Sequence, residues 1–301
     1  MVVHLSRSTS DPDERTTVQS IICFVSDFGL GDTWVGVCHA VIHQACPQAR
    51  VVDLSHQIPP FDIRKGAATA AAGVYQVPSA LHLVVVDPGV GPDRRDLCIV
   101  TNMGTVLVGP DNGVLLPAAL RAGGIKEAFI IDPAKVDFRA PLATFHARDV
   151  LAPAAAAIAC GVALDSLGER IGTSELAAPP FDLCHREGDH VEAEVLEADR
   201  FGSLRFNVPA DQLDSLGLKS RLLEVAVGHN TLVVPMGRTF ADVPDGSPVL
   251  LSDSSGWLTL ALNRGSAEER YGVTSATAVQ IRAAFREDDP AVSDPPRTIE
   301  R

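Results

Sequence analysis

The chain has 301 residues, of which 46% are hydrophobic, and a formal net charge of −13 at pH 7. This length favours two domains, each large enough to bury its own core. The acidic balance argues against binding to nucleic acid or to an anionic membrane surface, because both need clustered Lys and Arg, and no apolar run approaches the roughly 18 residues of a membrane span.

Both ends of the chain are polar and lack the periodicity of a helix or a strand. Residues 1–19 and 285–301 are therefore predicted to be disordered tails. Six cysteines are scattered singly, with no CxxC pair and no signal peptide before them. This pattern predicts reduced, buried thiols in a cytoplasmic protein.

Residues 20–174 alternate short β-branched runs with Ala-rich helical stretches, in the order IICFVS, WVGVCHAVIHQACP, ARVVDLS, IRKGAATAAAGVYQ and LHLVVVDPG. The βαβαβ order predicts an α/β domain with a mostly parallel sheet and helices on both faces. Such sheets bind ligands beyond the carboxyl ends of their strands. The polar residues at these ends are the first candidates for a site: Ser26, Asp27, Asp53, His56 and Asp87.

The first of these strand ends continues as SDFGLGDTWVG, a loop that leads into a helix. Asp32 is the predicted N-cap of that helix. Asp27 can bind a ribose diol, since each carboxylate oxygen accepts one hydroxyl. The glycine spacing is not GxGxxG, and a capped helix after a turn remains an alternative. On the next loop, Phe61 follows two prolines and is an apolar candidate for contact with a sugar or a base.

An acid, a permanent cation and an imidazole occur in VVVDPGVGPDRR and TFHARD. The glycine-rich turn can bring Arg94 back to Asp87, and with His146 they could hold and activate one water. A structural salt bridge and a structural histidine are the alternatives. Arg94 is expected to keep Asp87 ionised and weakly basic.

A two-metal hydrolase is a further alternative, with ligands drawn from Asp27, Asp32, Asp53, His56, Asp87, His146 and Asp149. The HxH and HExxH spacings are absent, and Arg94 would repel a metal in the same pocket. The sequence therefore favours a site without a metal.

After about residue 174 the pattern changes. Residues 175–189 have the Pro, Gly and charge content of a linker. Residues 190–284 then show short alternating runs separated by turn residues, which predict a smaller all-β domain with a barrel-like sheet.

Seven motifs spread over residues 20–282 carry a family resemblance: SDFGLGDTWVG, VDLSHQIPPFDIRKGA, VVVDPGVGPDRR, VGPDNG, TFHARDVLAPAAA, DRFGSL and SSGWLTLALNRGSA. In this order the chain resembles the S-adenosylmethionine hydroxide adenosyltransferases, hydrolytic relatives of fluorinating and chlorinating enzymes. The resemblance implies an α/β domain followed by a β-barrel-like domain. It also implies homotrimers, in which each ligand binds between the N-terminal domain of one subunit and the C-terminal domain of its neighbour.

The resemblance also implies roles for individual residues. Asp87, Arg94 and His146 correspond to the water-holding triad, and Asp27 to the ribose-binding acid, with Phe61 near the nucleoside. Residues expected near the methionine part are Asp32, Thr33, Trp34, Asp199 and Ser254. Phe201 is expected to stack on adenine, whose edge Asn263 and the backbone of Arg264 would read.

Three positions depart from the family pattern. Ser203 replaces the Asn of DRFGN, so one contact to the nucleoside is shortened or passes through water. Ser255 stands where halogenating relatives have Arg, and Thr259 where hydrolases often have Glu. These two changes leave open how the methionine carboxylate is bound.

The implied reaction is hydrolysis of S-adenosyl-L-methionine to adenosine and L-methionine by attack of water on ribose C5′, without a cofactor. Halogenating relatives have Tyr in place of Asp87, the fluorinating ones carry an extra loop after this strand, and Ala147 lacks the hydroxyl that they supply there. A halogenase and a module that binds the nucleoside without turnover are the alternatives. Whether His146 accepts the proton of water or only fixes its geometry is open.

Overall fold

Two β-sheets organise the chain. The computed structural model describes residues 21–91, 93–136 and 144–284, so the predicted tails at 1–19 and 285–301 lie outside the described residues. The first sheet has the strand order β2-β1-β3-β5-β4-β6-β7. Its strands are β1 (Ile21–Ser26), β2 (Arg50–Ser55), β3 (Leu81–Val85), β4 (Asp96–Thr101), β5 (Val106–Pro110), β6 (Ile125–Ile131) and β7 (Gly168–Arg170).

Five of these seven strands run in one direction, which confirms the prediction of a mostly parallel sheet. The pairs β1/β2, β1/β3 and β3/β5 are parallel, whereas β4 is antiparallel to both β5 and β6, and β7 is antiparallel to β6. Because β4 is reversed, its first residue lies beside the last residue of β5, with Asp96 opposite Pro110. The reversal brings a new acid to the carboxyl edge of the parallel strands.

Helices cover both faces of this sheet, as predicted. They are α1 (Trp34–Ala45), α2 (Ile63–Gln76), α3 (Leu116–Arg121), α4 (Pro133–Val136), a π-helical turn (Ala147–Leu151) and α5 (Ala152–Ala159). α1 and α5 share one hydrophobic core with one face of the sheet, and α2 and α3 share another with the opposite face. α2 packs closely because it presents Gly and Ala inward: a Cβ at Gly66 would lie 2.8 Å from the side chain of Val86.

The two long helices differ in how they begin. In α2 the carboxylate of Asp62 accepts a hydrogen bond of 2.9 Å from the backbone N–H of Lys65, an ordinary N-cap. In α1 the N-cap is Thr33, without a side-chain hydrogen bond. The prediction of Asp32 as N-cap is therefore wrong, and its exposed side chain does not close the helix end.

The second sheet is antiparallel and nearly closed, which confirms the predicted barrel-like domain. Its order is β12-β11-β15-β9-β10-β14-β13, with β8 beside β9, and a bridge between Met236 and Leu250 links the two ends of this order. The strands are β8 (His185–Glu187), β9 (His190–Ala198), β10 (Leu204–Pro209), β11 (Leu222–Val227), β12 (Asn230–Pro235), β13 (Pro248–Ser252), β14 (Trp257–Leu262) and β15 (Ala278–Ala283), with the short helix α6 (Ala267–Tyr271). β8 lies within residues 175–189, the segment predicted as linker.

A shared apolar contact joins the two sheets within one chain. Trp257 of β14 is fully buried in the core that α2 and α3 form on the first sheet. The guanidinium of Arg121 lies 4.5 Å from the Trp257 ring centroid and 4.9 Å from that of Tyr75. A cation between two aromatic faces adds to the apolar burial, so this contact fixes the α/β part against the β part.

The cysteines correct one expectation from the sequence. Cys46 and Cys160, at the ends of α1 and α5, form a disulfide with their Cα atoms 5.8 Å apart. Cys23, Cys38 and Cys98 are buried free thiols, whereas Cys184 is partly exposed. The prediction of six reduced, buried thiols is wrong for the pair and too strong for Cys184. Within the described residues, none of the helices has the length and apolar content that crossing a bilayer requires.

Candidate active site

Two of the predicted site acids follow neighbouring parallel strands. The register pairs Ser26 with Val85, so Asp27 and Asp87 continue from adjacent strands at the same edge of the sheet. Parallel strands leave their carboxyl ends together, which is why the sequence could place these two acids near each other.

Asp87 contacts Arg94 directly, and a fourth residue links Arg94 to His146. Nη1 of Arg94 lies 2.6 Å from Oδ1 of Asp87, and Nη2 donates to Oδ1 of Asp96 at 2.9 Å. The other oxygen of Asp96 lies 2.9 Å from Nδ1 of His146. All four side chains are buried or nearly so. The result is a continuous charged chain in the order Asp87, Arg94, Asp96, His146.

Asp96 was missed because its position depends on strand direction. It is the first residue of β4, and a strand's first residue lies at the carboxyl edge of its neighbours only when that strand is antiparallel to them. An acid at the start of an otherwise apolar run, DLCIVT, is the signal that could have found it. Its side chain is only 3% exposed, and a buried carboxylate needs partners.

Asn112 is a second residue whose position matters here. Its side-chain amide donates to the backbone carbonyl of Val86 at 2.8 Å, directly before Asp87. Its neighbour Asp111 forms an ion pair with Arg95. The VGPDNG turn therefore braces the strand end that presents Asp87.

The pKa of Asp87 shifts in the direction opposite to the one expected from a simple pair with Arg94. Burial raises the pKa of the Asp87 carboxyl, and the negative charge of Asp96 adds to that rise, whereas Arg94 opposes it. Burial also raises the pKa of Asp96 against the opposing effect of Arg94 and His146. One guanidinium serves two buried carboxylates, so Asp87 is a stronger base than a simple pair with Arg94 would make it.

His146 has a defined orientation. It stands immediately before the π-helical turn, a rare conformation that is frequent at functional sites. When the ionised Asp96 carboxylate accepts the Nδ1–H of His146, the lone pair of the ring is on Nε2. The next acid, Asp149, receives two hydrogen bonds from Arg148, of 2.6 and 2.7 Å, an arrangement that differs from a metal half-site.

Asp27 orders the loop that carries Phe61. Its carboxylate accepts a hydrogen bond of 2.9 Å from the backbone N–H of Phe61. Phe61 has a φ of 71°, which non-glycine residues seldom adopt, and its side chain is 71% exposed. Asp32, Thr33 and Trp34 are exposed beside the same sheet edge. A strained, exposed aromatic held by a polar contact is typical of a binding surface.

The C-terminal candidates occupy three separate turns. In the first, Oδ1 of Asp199 accepts hydrogen bonds from the N–H groups of Phe201 and Ser203, at 2.8 and 2.9 Å. The ring of Phe201 is 78% exposed, whereas Ser203 is buried. Asp199 thus shapes the turn that presents Phe201 to solvent.

The second turn follows β14 and the third precedes it. The amide of Asn263 donates to the carbonyl of Val243 at 2.8 Å, and Arg264 has a φ of 56° and an ion pair of 3.2 Å with Asp245. Ser254 is exposed and Ser255 buried in the turn before β14. Nearby, the buried Oγ1 of Thr259 has no hydrogen-bond partner among the described residues.

The two groups of candidates do not meet through polar contacts inside one chain. Across residues 21–91, 93–136 and 144–284, no hydrogen bond or ion pair joins the predicted residues of the first sheet to those of the second. Phe61 and Phe201 each point an exposed ring outward. Among the described residues, the catalytic candidates therefore share polar contacts within one chain, whereas the two groups of nucleoside candidates share none.

In the part of the polypeptide that the structure describes, one group of side chains has the composition of a metal site. This group shares no residue with the charged network around Asp87. It consists of His39, Asp53 and His56, whose ligand atoms lie within 4.8 Å of one another. The sequence placed Asp53 at the end of a strand, but it lies inside β2. Its carboxylate contacts His39 and His56 there.

The fold and the site together define a two-domain protein with a buried Asp-Arg-Asp-His chain at the carboxyl edge of a mixed sheet. Family models described as the S-adenosylmethionine hydroxide adenosyltransferase N-terminal and C-terminal domains match residues 22–168 and 193–280. The chain belongs to this family.

Similar proteins agree with this assignment. An (R)-S-adenosyl-L-methionine hydrolase of Salinispora arenicola is 39% identical over 263 residues, covering 87% of this chain and 97% of its own. A fluorinase of Actinopolyspora mzabensis is 26% identical over 297 residues, covering 87% and 96%. A solved structure of an uncharacterised conserved protein from Thermotoga maritima has a TM-score of 0.78 and 32% identity, covering 87% of this chain and 99% of its own.

Proposed function

We propose that this protein hydrolyses S-adenosyl-L-methionine to adenosine and L-methionine. The observation that carries the proposal is the buried network of ion pairs that runs from the side chain of Asp87 to that of His146. It offers an anion, a cation and an imidazole lone pair in one place. Its membership of the hydroxide adenosyltransferases and its similarity to an (R)-S-adenosyl-L-methionine hydrolase support the same reaction.

The reaction is a displacement at the ribose C5′. The oxygen of water attacks C5′ while the bond from C5′ to the sulfonium sulfur breaks, and its electron pair leaves on methionine as a neutral thioether. No acid is needed for the leaving group, so the difficulty lies in the nucleophile. Forming free hydroxide at neutral pH would cost about 12 kcal/mol, from a water pKa near 15.7 at about 1.4 kcal/mol per unit.

The four residues divide this task. Asp87 orients the water. Because its pKa is raised, its carboxylate is also a stronger acceptor of a hydrogen bond from that water. Arg94 stabilises the developing negative charge on the oxygen. Nε2 of His146 is the acceptor to which the proton passes, because Asp96 occupies Nδ1. Asp96 acts through Arg94 and His146 and is a positioning residue.

Substrate binding is proposed for the residues that the resemblance implied. Asp27 takes the ribose hydroxyls beside Phe61, and Phe201 stacks on adenine, whose edge Asn263 and the backbone of Arg264 read. Those proposed to surround the methionine part are Asp32, Thr33, Trp34, Asp199, Ser254 and Ser255, and Ser203 is proposed to contact the nucleoside. Because Phe61 and Phe201 are both exposed in one chain, we propose a homotrimer in which neighbouring subunits complete each site.

Release of adenosine from S-adenosyl-L-methionine by the purified protein, followed by chromatography, tests the function. We expect adenosine and methionine in equal amounts, and a loss of at least about 100-fold in kcat/KM for Asp87→Asn. No release by folded wild-type protein would contradict the proposal. Halogenated adenosine formed when halide is added would instead assign a halogenase, against which the Asp87 carboxylate argues because it repels an incoming anion.

A further inference from the structure

The group of His39, Asp53 and His56 lies apart from the proposed catalytic chain and shares no residue with it. His39 comes from α1, Asp53 from β2 and His56 from the loop that follows β2. Nε2 of His39 lies 2.8 Å from Oδ1 of Asp53, and Nε2 of His56 lies 3.0 Å from the same oxygen. Two imidazole nitrogens therefore converge on one carboxylate oxygen.

One ring nitrogen of the buried member, His56, lacks a well-aligned partner. The side chain of His56 is 2% exposed, and its Nε2 makes no aligned hydrogen bond despite the short distance to Asp53. Its other nitrogen, Nδ1, lies 2.7 Å from the hydroxyl of Ser26. If Nδ1–H donates to Ser26, a lone pair on Nε2 faces a carboxylate oxygen, which is unfavourable unless a cation lies between them.

We propose that His39, Asp53 and His56 bind a divalent transition-metal ion of the zinc class. Two imidazoles and one carboxylate suit Zn²⁺, whereas Mg²⁺ and Ca²⁺ prefer all-oxygen sites. Tetrahedral Zn²⁺ with bonds of about 2.0–2.1 Å separates its ligand atoms by about 3.3 Å, so the two distances between an imidazole nitrogen and Asp53 need to lengthen by only about half an ångström. The contact of His56 Nδ1 with Ser26 is the supporting hydrogen bond that metal-bound histidines usually make.

Solvent can supply the fourth ligand. The side chains of Asp53 and His39 are 39% and 27% exposed, which gives the ion a route of entry. No Lys or Arg forms an ion pair with Asp53 in the described segments, so no fixed cation competes for its charge. A bound ion would connect α1 to β2 and to the loop that follows β2. In that loop, the backbone carbonyl of His56 accepts a hydrogen bond of 2.8 Å from the N–H of Gly29.

Zinc titration of the metal-free full-length protein tests this inference independently of catalysis. We expect one Zn²⁺ per chain by calorimetry, a rise of a few degrees in Tm at excess Zn²⁺, and the strong visible absorption of a tetrahedral site when Co²⁺ is used. His39→Ala should weaken Zn²⁺ binding at least tenfold. His43→Ala is the matched control, because it removes an exposed imidazole one helical turn away and should change nothing.

Three results would overturn the proposal: no binding by wild-type protein, equal losses in the His39 and His43 variants, or an octahedral Co²⁺ spectrum. Circular dichroism checks that each variant is folded. Asp53→Asn provides a second route, since it keeps the size of the side chain but removes the anionic ligand, and it should also abolish the Zn²⁺-dependent rise in Tm. Since none of these readouts uses adenosine release, failure here leaves the proposed function untouched.

Discussion

At the scale of single residues, Asp96 organises the candidate site. Like Arg94, it contacts two other members of the charged chain, with one oxygen toward Arg94 and the other toward His146. A carboxylate in this place fixes the ring orientation of the histidine and holds the guanidinium in position. Asp87, Arg94 and His146 carry the proposed chemistry, but their geometry depends on Asp96.

Asp96→Asn should reduce kcat for adenosine release by about 100-fold or more with little change in KM, because an amide can present an N–H to His146 and reverse its tautomer. Steady-state kinetics measures this split. Asp93→Asn is the matched control, since Asp93 is exposed in the same segment and should retain wild-type kinetics. A kcat within twofold of wild type for Asp96→Asn would show that His146 needs no such partner.

The raised pKa of Asp87 gives a prediction for pH dependence. As pH falls, Asp87 is protonated and loses its hold on water, and because burial and Asp96 raise its pKa, this loss begins at a higher pH than for an ordinary aspartate. The part of the acid limb of kcat/KM that Asp87 contributes should therefore lie above a pH of about 3.9. In Asp96→Asn the residual activity should have its limb at lower pH, since one negative charge is gone. A limb that does not move would contradict the coupling between the two acids.

At the scale of secondary-structure elements, the turn before β14 determines how the two sheets meet. Gly256 has a φ of +73°, and a Cβ there would lie 2.5 Å from the ring of Tyr75. Its carbonyl also accepts a hydrogen bond from Arg121 at 3.3 Å. Glycine is required both by the left-handed backbone and by the close approach of α2.

Gly256→Ala should destabilise the protein by about 1–3 kcal/mol more than Gly246→Ala. The two glycines have nearly the same φ, +73° and +75°, but a Cβ at Gly246 meets nothing within 4 Å. The comparison therefore isolates the clash with Tyr75 from the backbone strain. Urea unfolding of both variants measures the difference, and equal losses would mean that Tyr75 moves aside without cost.

At the scale of the whole molecule, the two exposed aromatic rings bear on the proposed trimer. Phe61 belongs to the α/β part and Phe201 to the β part, and in a single chain both rings remain in solvent. An aromatic ring that stacks on a base buries apolar surface that is exposed in the free chain. In the proposed trimer, the two rings would lie on opposite sides of one site.

Co-expression of two variants that each have low activity tests whether the sites lie between subunits. Asp87→Asn and Phe201→Ala should each have low activity alone, but co-expressed at equal levels they should recover about a quarter of wild-type activity, because one in four sites then pairs two intact halves. Sedimentation should give a trimer for each variant. If the mixture is no more active than the variants alone, each site belongs to one chain.

The sequence was sufficient for the elements and for part of the site. The βαβαβ rhythm, the alternation after residue 190 and the strand-end acids Asp27 and Asp87 all follow from local patterns, because burial on a parallel sheet imposes a continuous apolar run and leaves polar residues only at its end. The seven motifs added the family, which the comparisons confirm. Roles of individual side chains in binding stay predictions.

Only the tertiary structure decided which residues meet across strands. Asp96 reached the site because β4 runs against its neighbours, and strand direction is set by sheet pairing over long sequence separations rather than by local composition. The disulfide between Cys46 and Cys160 and the convergence of His39 on Asp53 and His56 arise in the same way, from the packing of α1 against α5 and β2. Local sequence fixes what an element is, whereas its contacts depend on where the rest of the chain places it.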